Sequence, residues 1–131
     1  MAKYLYPAIF TPEKEGGYTV IFPDLKNCYT QGDDLQDAYE MAKDVLCLTL
    51  YHMEEEKINI PSASNPKDIK VPEDSIISLI SADTLEYRRF YDKKAVKKTL
   101  TIPAWLDKMA ERENINFSQV LQEALKEKLK V

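Results

Sequence analysis

The sequence predicts an α+β chain in two parts: an N-terminal antiparallel sheet with one long helix packed on it (residues 1–91), and a C-terminal strand–helix–helix module that dimerises (residues 92–131). Three observations lead there. Segments rich in aromatic and β-branched residues, divided by a Gly-Gly turn, precede a long stretch with helical periodicity. A second strand-then-helix pattern follows near the C-terminus, too short to bury a core alone. The charge also changes sign: residues 1–92 hold nine Lys and Arg against seventeen Asp and Glu (−8), and residues 93–131 hold nine against five (+4). Such asymmetry points to two parts with two kinds of partner.

Residues 3–10 (KYLYPAIF) and 18–22 (YTVIF) have strand composition, and Glu15-Gly16-Gly17 between them is a turn signal, so they form a hairpin. Pro23-Asp24 ends the second strand, and residues 27–30 return as a short third. Asp33 followed by Gln36 has the spacing of a capping box. Leu35, Ala38, Tyr39, Ala42, Val45, Leu46, Thr49, Leu50 and Met53 then recur on one face of a long helix that covers the hairpin. Residues 59–72 are a proline- and serine-rich loop, 75–81 (SIISLIS) a further strand, and 84–94 a lead into the second part.

In the C-terminal part, residues 94–102 alternate: Leu100 and Ile102 face one way, Lys97, Thr99 and Thr101 the other. Pro103 stops the strand and suits the first turn of a helix. Trp105, Leu106, Met109 and Ala110 form its apolar stripe, residues 114–117 break it, and Ser118 is placed to cap a second helix bearing Val120, Leu121, Ala124, Leu125 and Leu129. Lys126, Lys128 and Lys130 sit where the helix dipole favours cations. Two copies that pair their strands antiparallel and interleave their helices complete both core and sheet, giving a homodimer or a higher even oligomer.

The two-stranded ribbon so made has one polar face and the width of the DNA major groove. Lys97 can donate to guanine O6 and N7; Thr99 and Thr101 can exchange hydrogen bonds with bases or place a methyl against thymine. Asn116, Phe117 and Ser118 begin the second helix, whose free N–H groups suit a phosphate. Residues 95–130 resemble the ribbon-helix-helix family of bacterial repressors in the order of strand, proline, helices and turn. A helical hairpin that only dimerises is the competing reading, with the polar strand face as solvated surface.

In the N-terminal part, Gly17-Tyr18-Thr19-Val20-Ile21-Phe22-Pro23-Asp24-Leu25, then Cys28, Thr30-Gln31-Gly32-Asp33, Ala38 and Ala42, resemble the HicB antitoxin family. The likeness runs from Tyr6 to about Leu50, and one subclass of that family carries a ribbon-helix-helix tail. The resemblance implies a partial ribonuclease-H-like domain that binds a HicA-type toxin, a small basic RNA-cleaving enzyme. It also implies repression of the shared operon through double-stranded operator DNA. An acidic unit suits competition for a basic toxin surface. The candidate contacts are Asp24, Asp33, Asp34, Glu54, Glu55 and Glu56. Each has a structural alternative: a turn residue for Asp24, a helix cap for Asp33 and a solvated face for the glutamates. The alternative function is a stand-alone repressor with a ligand-sensing N-terminal domain.

Enzymatic chemistry is not expected. Asp33, Asp34 and Asp37 diverge around a helix start instead of converging on a two-metal site, and the predicted strand faces carry no Asp or Glu. His52 is the lone histidine, and Cys28 and Cys47 form no CxxC pair, so neither metal nor cofactor is expected. No apolar run approaches the ~20 residues of a membrane span, and the N-terminus lacks a signal-peptide core; both predict a cytoplasmic chain without membrane contact.

Overall fold

A computed structural model describes residues 2–131. The chain divides into two compact units, Met1–Lys94 and Ala95–Val131. No helix among the described residues is long and apolar enough to cross a membrane.

In the first unit, β1 (Lys3–Pro12) and β2 (Tyr18–Ile21) form the expected hairpin. The turn is closed by Glu13 N–H to Gly17 O at 3.0 Å and Gly16 N–H to Glu13 O at 3.1 Å. Gly16 and Gly17 have φ of +99° and +82°, where a side chain is strained. β3 (Tyr29–Gly32) adds to β2, and β4 (Ile76–Asp83) adds to the far side of β1. All three pairings in the order β3-β2-β1-β4 are antiparallel.

Helix α1 (Leu35–Glu55) lies on one face of this sheet and buries Ala38, Ala42, Leu46 and Leu50, one per turn. The approach of helix to sheet is close at its start. A Cβ on Gly32 would fall 2.3 Å from the backbone N of Ala38, so only glycine fits there. Further along, Leu46 and Leu50 join a core with Tyr6, Phe10, Phe22 and Ile80. Truncating such a leucine to alanine costs about 2–5 kcal/mol. The helix ends on Lys57 at φ +55°, with Lys57 N–H to Glu54 O (3.3 Å) and Ile58 N–H to Met53 O (2.9 Å), the paired bonds of a Schellman motif.

Three expectations are corrected. The N-cap of α1 is Asp34, not Asp33: the Asp34 carboxylate accepts from Asp37 N–H at 2.8 Å, and Asp37 accepts from Asp33 N–H at 2.8 Å. The helix starts one residue late because Gly32 is still paired with Tyr18 in the sheet. Residues 84–91 are not a lead-in but a helix, α2 (Thr84–Tyr91), capped by Asp83, which accepts from Leu85 and Glu86 N–H at 3.0 and 3.2 Å.

The third correction lies in the second unit. Helix α3 (Ala104–Arg112) follows Pro103 and closes on Asn114 at φ +52°, with Asn114 N–H to Glu111 O and Ile115 N–H to Ala110 O both at 3.1 Å. Helix α4 (Phe117–Leu129) is capped by Asn116, not Ser118. The Asn116 carboxamide accepts from Gln119 N–H at 3.1 Å, while the Ser118 hydroxyl, already in the first turn, accepts from Gln122 Nε2 at 3.1 Å. Residues 94–102 form no strand in the single chain, since a ladder takes a second strand and none among the described residues pairs with them.

Candidate functional site

The acids singled out on the first unit fall into three places. Asp33 and Asp34 are exposed at the N-terminal end of α1, where negative charge complements the helix dipole. Glu54, Glu55 and Glu56 lie at its other end, about 30 Å away at 1.5 Å per residue. They therefore do not make one patch with the first pair. Asp24 belongs to neither group. It is half-buried and accepts from Ser64 N–H and Oγ–H at 2.9 and 2.5 Å, pinning the 59–72 loop to the turn after β2.

The glutamates do not form a uniform solvated face. Glu54 turns inward, where it accepts from Tyr4 OH (2.8 Å), Thr84 Oγ1 (2.8 Å) and Arg88 Nη2 (3.1 Å). Burial works against its charged form, but hydrogen bonds, those from Thr84, Tyr4 and Arg88 among them, outweigh it and hold the carboxyl at about 2. The same arrangement pushes Tyr4 up to about 12, through burial first and then its bond to Glu54. Glu55 pairs with Arg88 Nη1. The Arg88 guanidinium also lies 4.6 Å from the Tyr51 ring centroid. This cluster joins β1, α1 and α2; Glu56, the helix cap, stays exposed.

Between these ends, the outward side of α1 borders two grooves. One, of about 640 Å³, is lined by Asp24, Asn27, Leu48, His52, Ile58 and Pro61 among others. The second, of about 370 Å³, is lined by Thr30, Met41, Asp44, Val45, Leu48, Tyr87 and Tyr91, with the two tyrosine ring centroids 4.6 Å apart. Met41 and Leu48 are exposed although apolar. Exposed apolar side chains beside carboxylates suit a protein partner with a mixed apolar and basic surface. These residues were missed in the sequence, yet a signal existed: Met41 and Leu48 are seven residues apart, two turns along the side of α1 away from its buried stripe.

On the second unit, Lys97, Thr99 and Thr101 are all exposed. So are the apolar residues expected to form a core: Trp105 is 65% exposed, Met109 57% and Val120 51%. Among the described residues of this unit none is buried, and only Asp107, Ala110 and Leu121 are half-buried. At the start of α4, Asn116 satisfies the N–H of Gln119, while the N–H groups of Phe117 and Ser118 have no acceptor within the helix. The candidate anion contact is thus the backbone of those two residues, with the Asn116 side chain spent on the cap.

Residues 5–80 match the family described as HicB-like antitoxin of bacterial toxin–antitoxin system. Antitoxin HicB 1 of Photorhabdus laumondii is 41% identical over 69 residues, which cover 51% of this chain and 44% of that protein. Antitoxin HicB of Escherichia coli K12 is 42% identical over 71 residues, 51% of each chain. The chain spans about half the length of these curated relatives. Among solved structures, a chain of a toxin–antitoxin complex from Streptococcus pneumoniae superposes with a TM-score of 0.63 at 29% identity, over 96% of this chain and 99% of that one.

Proposed function

The chain belongs to the HicB-like antitoxin family of bacterial toxin–antitoxin systems, and from that membership we propose that it neutralises a HicA-type RNA-cleaving toxin and, as a dimer, represses its own operon. It acts by binding, without catalysis or cofactor. The first unit is read as the partial ribonuclease-H-like, toxin-binding domain. The observation that carries the toxin half is that the family match, residues 5–80, falls on the acidic unit. Its docking face is the outward side of α1, with Met41 and Leu48 as apolar contacts and Asp33, Asp34 and Asp44 as the flanking charges. Glu54 is kept out of the contact by its internal partners; Asp24, Glu55 and Glu56 border the face.

The uncovered apolar side of the second unit supports the DNA half. Its helices expose Trp105, Met109 and Val120, and a solvated apolar face of that size is at odds with a stable lone module. Pairing residues 94–102 of two copies supplies the missing strand and lets the helices bury one another. The ribbon so formed presents Lys97, Thr99 and Thr101 to base edges, and the α4 N-terminus, at Phe117 and Ser118, to a phosphate. The likeness to the pneumococcal chain runs over both units, which supports treating them as one antitoxin.

Co-purification tests the toxin half. The product of a small basic reading frame beside this gene should elute with the chain in a complex that dissociates as salt rises. Met41→Asp with Leu48→Asp should abolish the complex. Absence of any such complex would favour the alternative, a stand-alone repressor whose first unit takes a ligand in the groove beside His52.

A further inference from the structure

A row of aromatic rings runs along the first unit where α2 meets α1. The Tyr51 ring centroid lies 5.3 Å from that of Tyr87, Tyr87 lies 4.6 Å from Tyr91, and Tyr91 lies 4.9 Å from Phe90. One end of the row already holds a cation. The Arg88 guanidinium sits 4.6 Å from the Tyr51 centroid and pairs with the carboxylates of Glu54 and Glu55. Ring face and carboxylate both attract a planar cation, the first through its quadrupole and the second through charge-assisted hydrogen bonds.

Further along the row the same parts stand without the cation. Tyr87 and Tyr91, one turn apart on α2, line the groove of about 370 Å³, and Asp44 lines it from α1. Burial raises the Tyr87 hydroxyl first, and Tyr91, Cys47 and Asp44 raise it further, as a carboxylate close to the ring does. Among the described residues no Lys or Arg pairs with Asp44, and none lies over Tyr87 or Tyr91. Tyr91 is 64% exposed, so its ring is open to a ligand.

We propose that this groove binds one arginine side chain of the basic toxin, its guanidinium stacked on the Tyr87–Tyr91 rings and paired with Asp44. The inference rests on the toxin-binding reading of the first unit and names the group recognised at this part of the face. Charge selects a cation, because Asp44 is the one carboxylate among the lining residues and no Lys or Arg lines the groove. Planarity selects arginine over lysine: a guanidinium lies flat on a ring, and it is more weakly hydrated than an ammonium. The apolar lining fits the stem. Met41, Val45 and Leu48 follow one another along α1 and offer a surface for its methylenes.

The test is the affinity of the full chain for the toxin, by titration calorimetry. Tyr91→Leu keeps apolar bulk at an exposed position and should weaken the complex about 3- to 30-fold. Tyr91→Phe, which keeps the ring face, should recover most of that loss, and Asp44→Asn should weaken binding as well. Changing the toxin's arginines to lysine one at a time should single out one whose effect vanishes when Tyr91 is leucine. A wild-type complex unmoved by Tyr91→Leu and Asp44→Asn overturns the proposal and leaves the toxin reading standing. Losses that simply add to those of every toxin arginine also overturn it, and assign Tyr91 to apolar packing. If the wild-type chain holds no toxin, the toxin reading falls and this occupant with it. Nα-acetylarginine amide that still shifts the Tyr87 and Tyr91 ring protons in NMR spectra would then assign the groove to a free guanidinium compound.

Discussion

Glu54 shows how one side chain decides the use of a surface. Its carboxylate takes hydrogen bonds from Tyr4, Thr84 and Arg88, from strand, helix start and helix. Glu54→Gln should lower stability at neutral pH by about 1–3 kcal/mol, the cost of leaving a buried partner poorly satisfied. The pH dependence has a defined sign. The folded carboxyl sits at about 2 against an ordinary 4.5, so its contribution is complete above 4.5 and fades as pH falls towards 2. Melting curves of both forms should differ at pH 7 and converge between pH 4.5 and 2. A gap that persists at pH 2 would assign the loss to packing. Toxin binding near neutral pH should survive the same substitution, because the residue faces inward. On the second unit, Lys97→Ala or Thr99→Ala should weaken operator binding by about 1–3 kcal/mol and leave random DNA little changed. Gel-shift titrations of both DNAs check this, and equal losses on the two would remove base reading from these positions.

At the level of elements, the capping of α4 gives a discriminating pair of variants. Asn116→Ala should cost about 1 kcal/mol in urea unfolding, and Ser118→Ala only a few tenths, because Asn116 makes the cap bond. The reverse order would restore Ser118 as the cap. This error has the same origin as the one at Asp34. Both Asn116 and Ser118 are good cap residues, and the choice rests on where the preceding turn, closed at Asn114, delivers the chain. By contrast, α1 was legible because Ala38, Ala42, Leu46 and Leu50 repeat at one per turn, a local pattern. The hairpin was legible through its Gly-Gly turn. Helix α2 was missed although Asp83 and Glu86 have capping-box spacing; its run of tyrosines and arginines masks the periodicity. The inward turn of Glu54 was not legible at all. Its partners Tyr4, Thr84 and Arg88 lie 50, 30 and 34 residues away in sequence, and only the fold brings them together.

In the whole molecule, an acidic unit that carries the family match is followed by a basic unit whose apolar side chains stand exposed in the single copy. Trp105 is the only tryptophan of the chain and is largely exposed in the single copy, so its emission reports on the pairing of the second unit. Dilution should shift that emission to the red at the concentration where operator binding fails. A red-shifted spectrum at all concentrations would mean that α3 is never covered. The central claim is that toxin neutralisation belongs to the first unit and DNA recognition to the second. Growth rescue tests it most directly: the adjacent small reading frame is induced alone, with this chain, and with the full chain carrying Lys97→Ala, Thr99→Ala and Thr101→Ala. The expected result is growth arrest by the small protein alone, relieved equally by the wild-type chain and by the variant that no longer holds the operator. Arrest that neither chain relieves, with both well expressed, would contradict it.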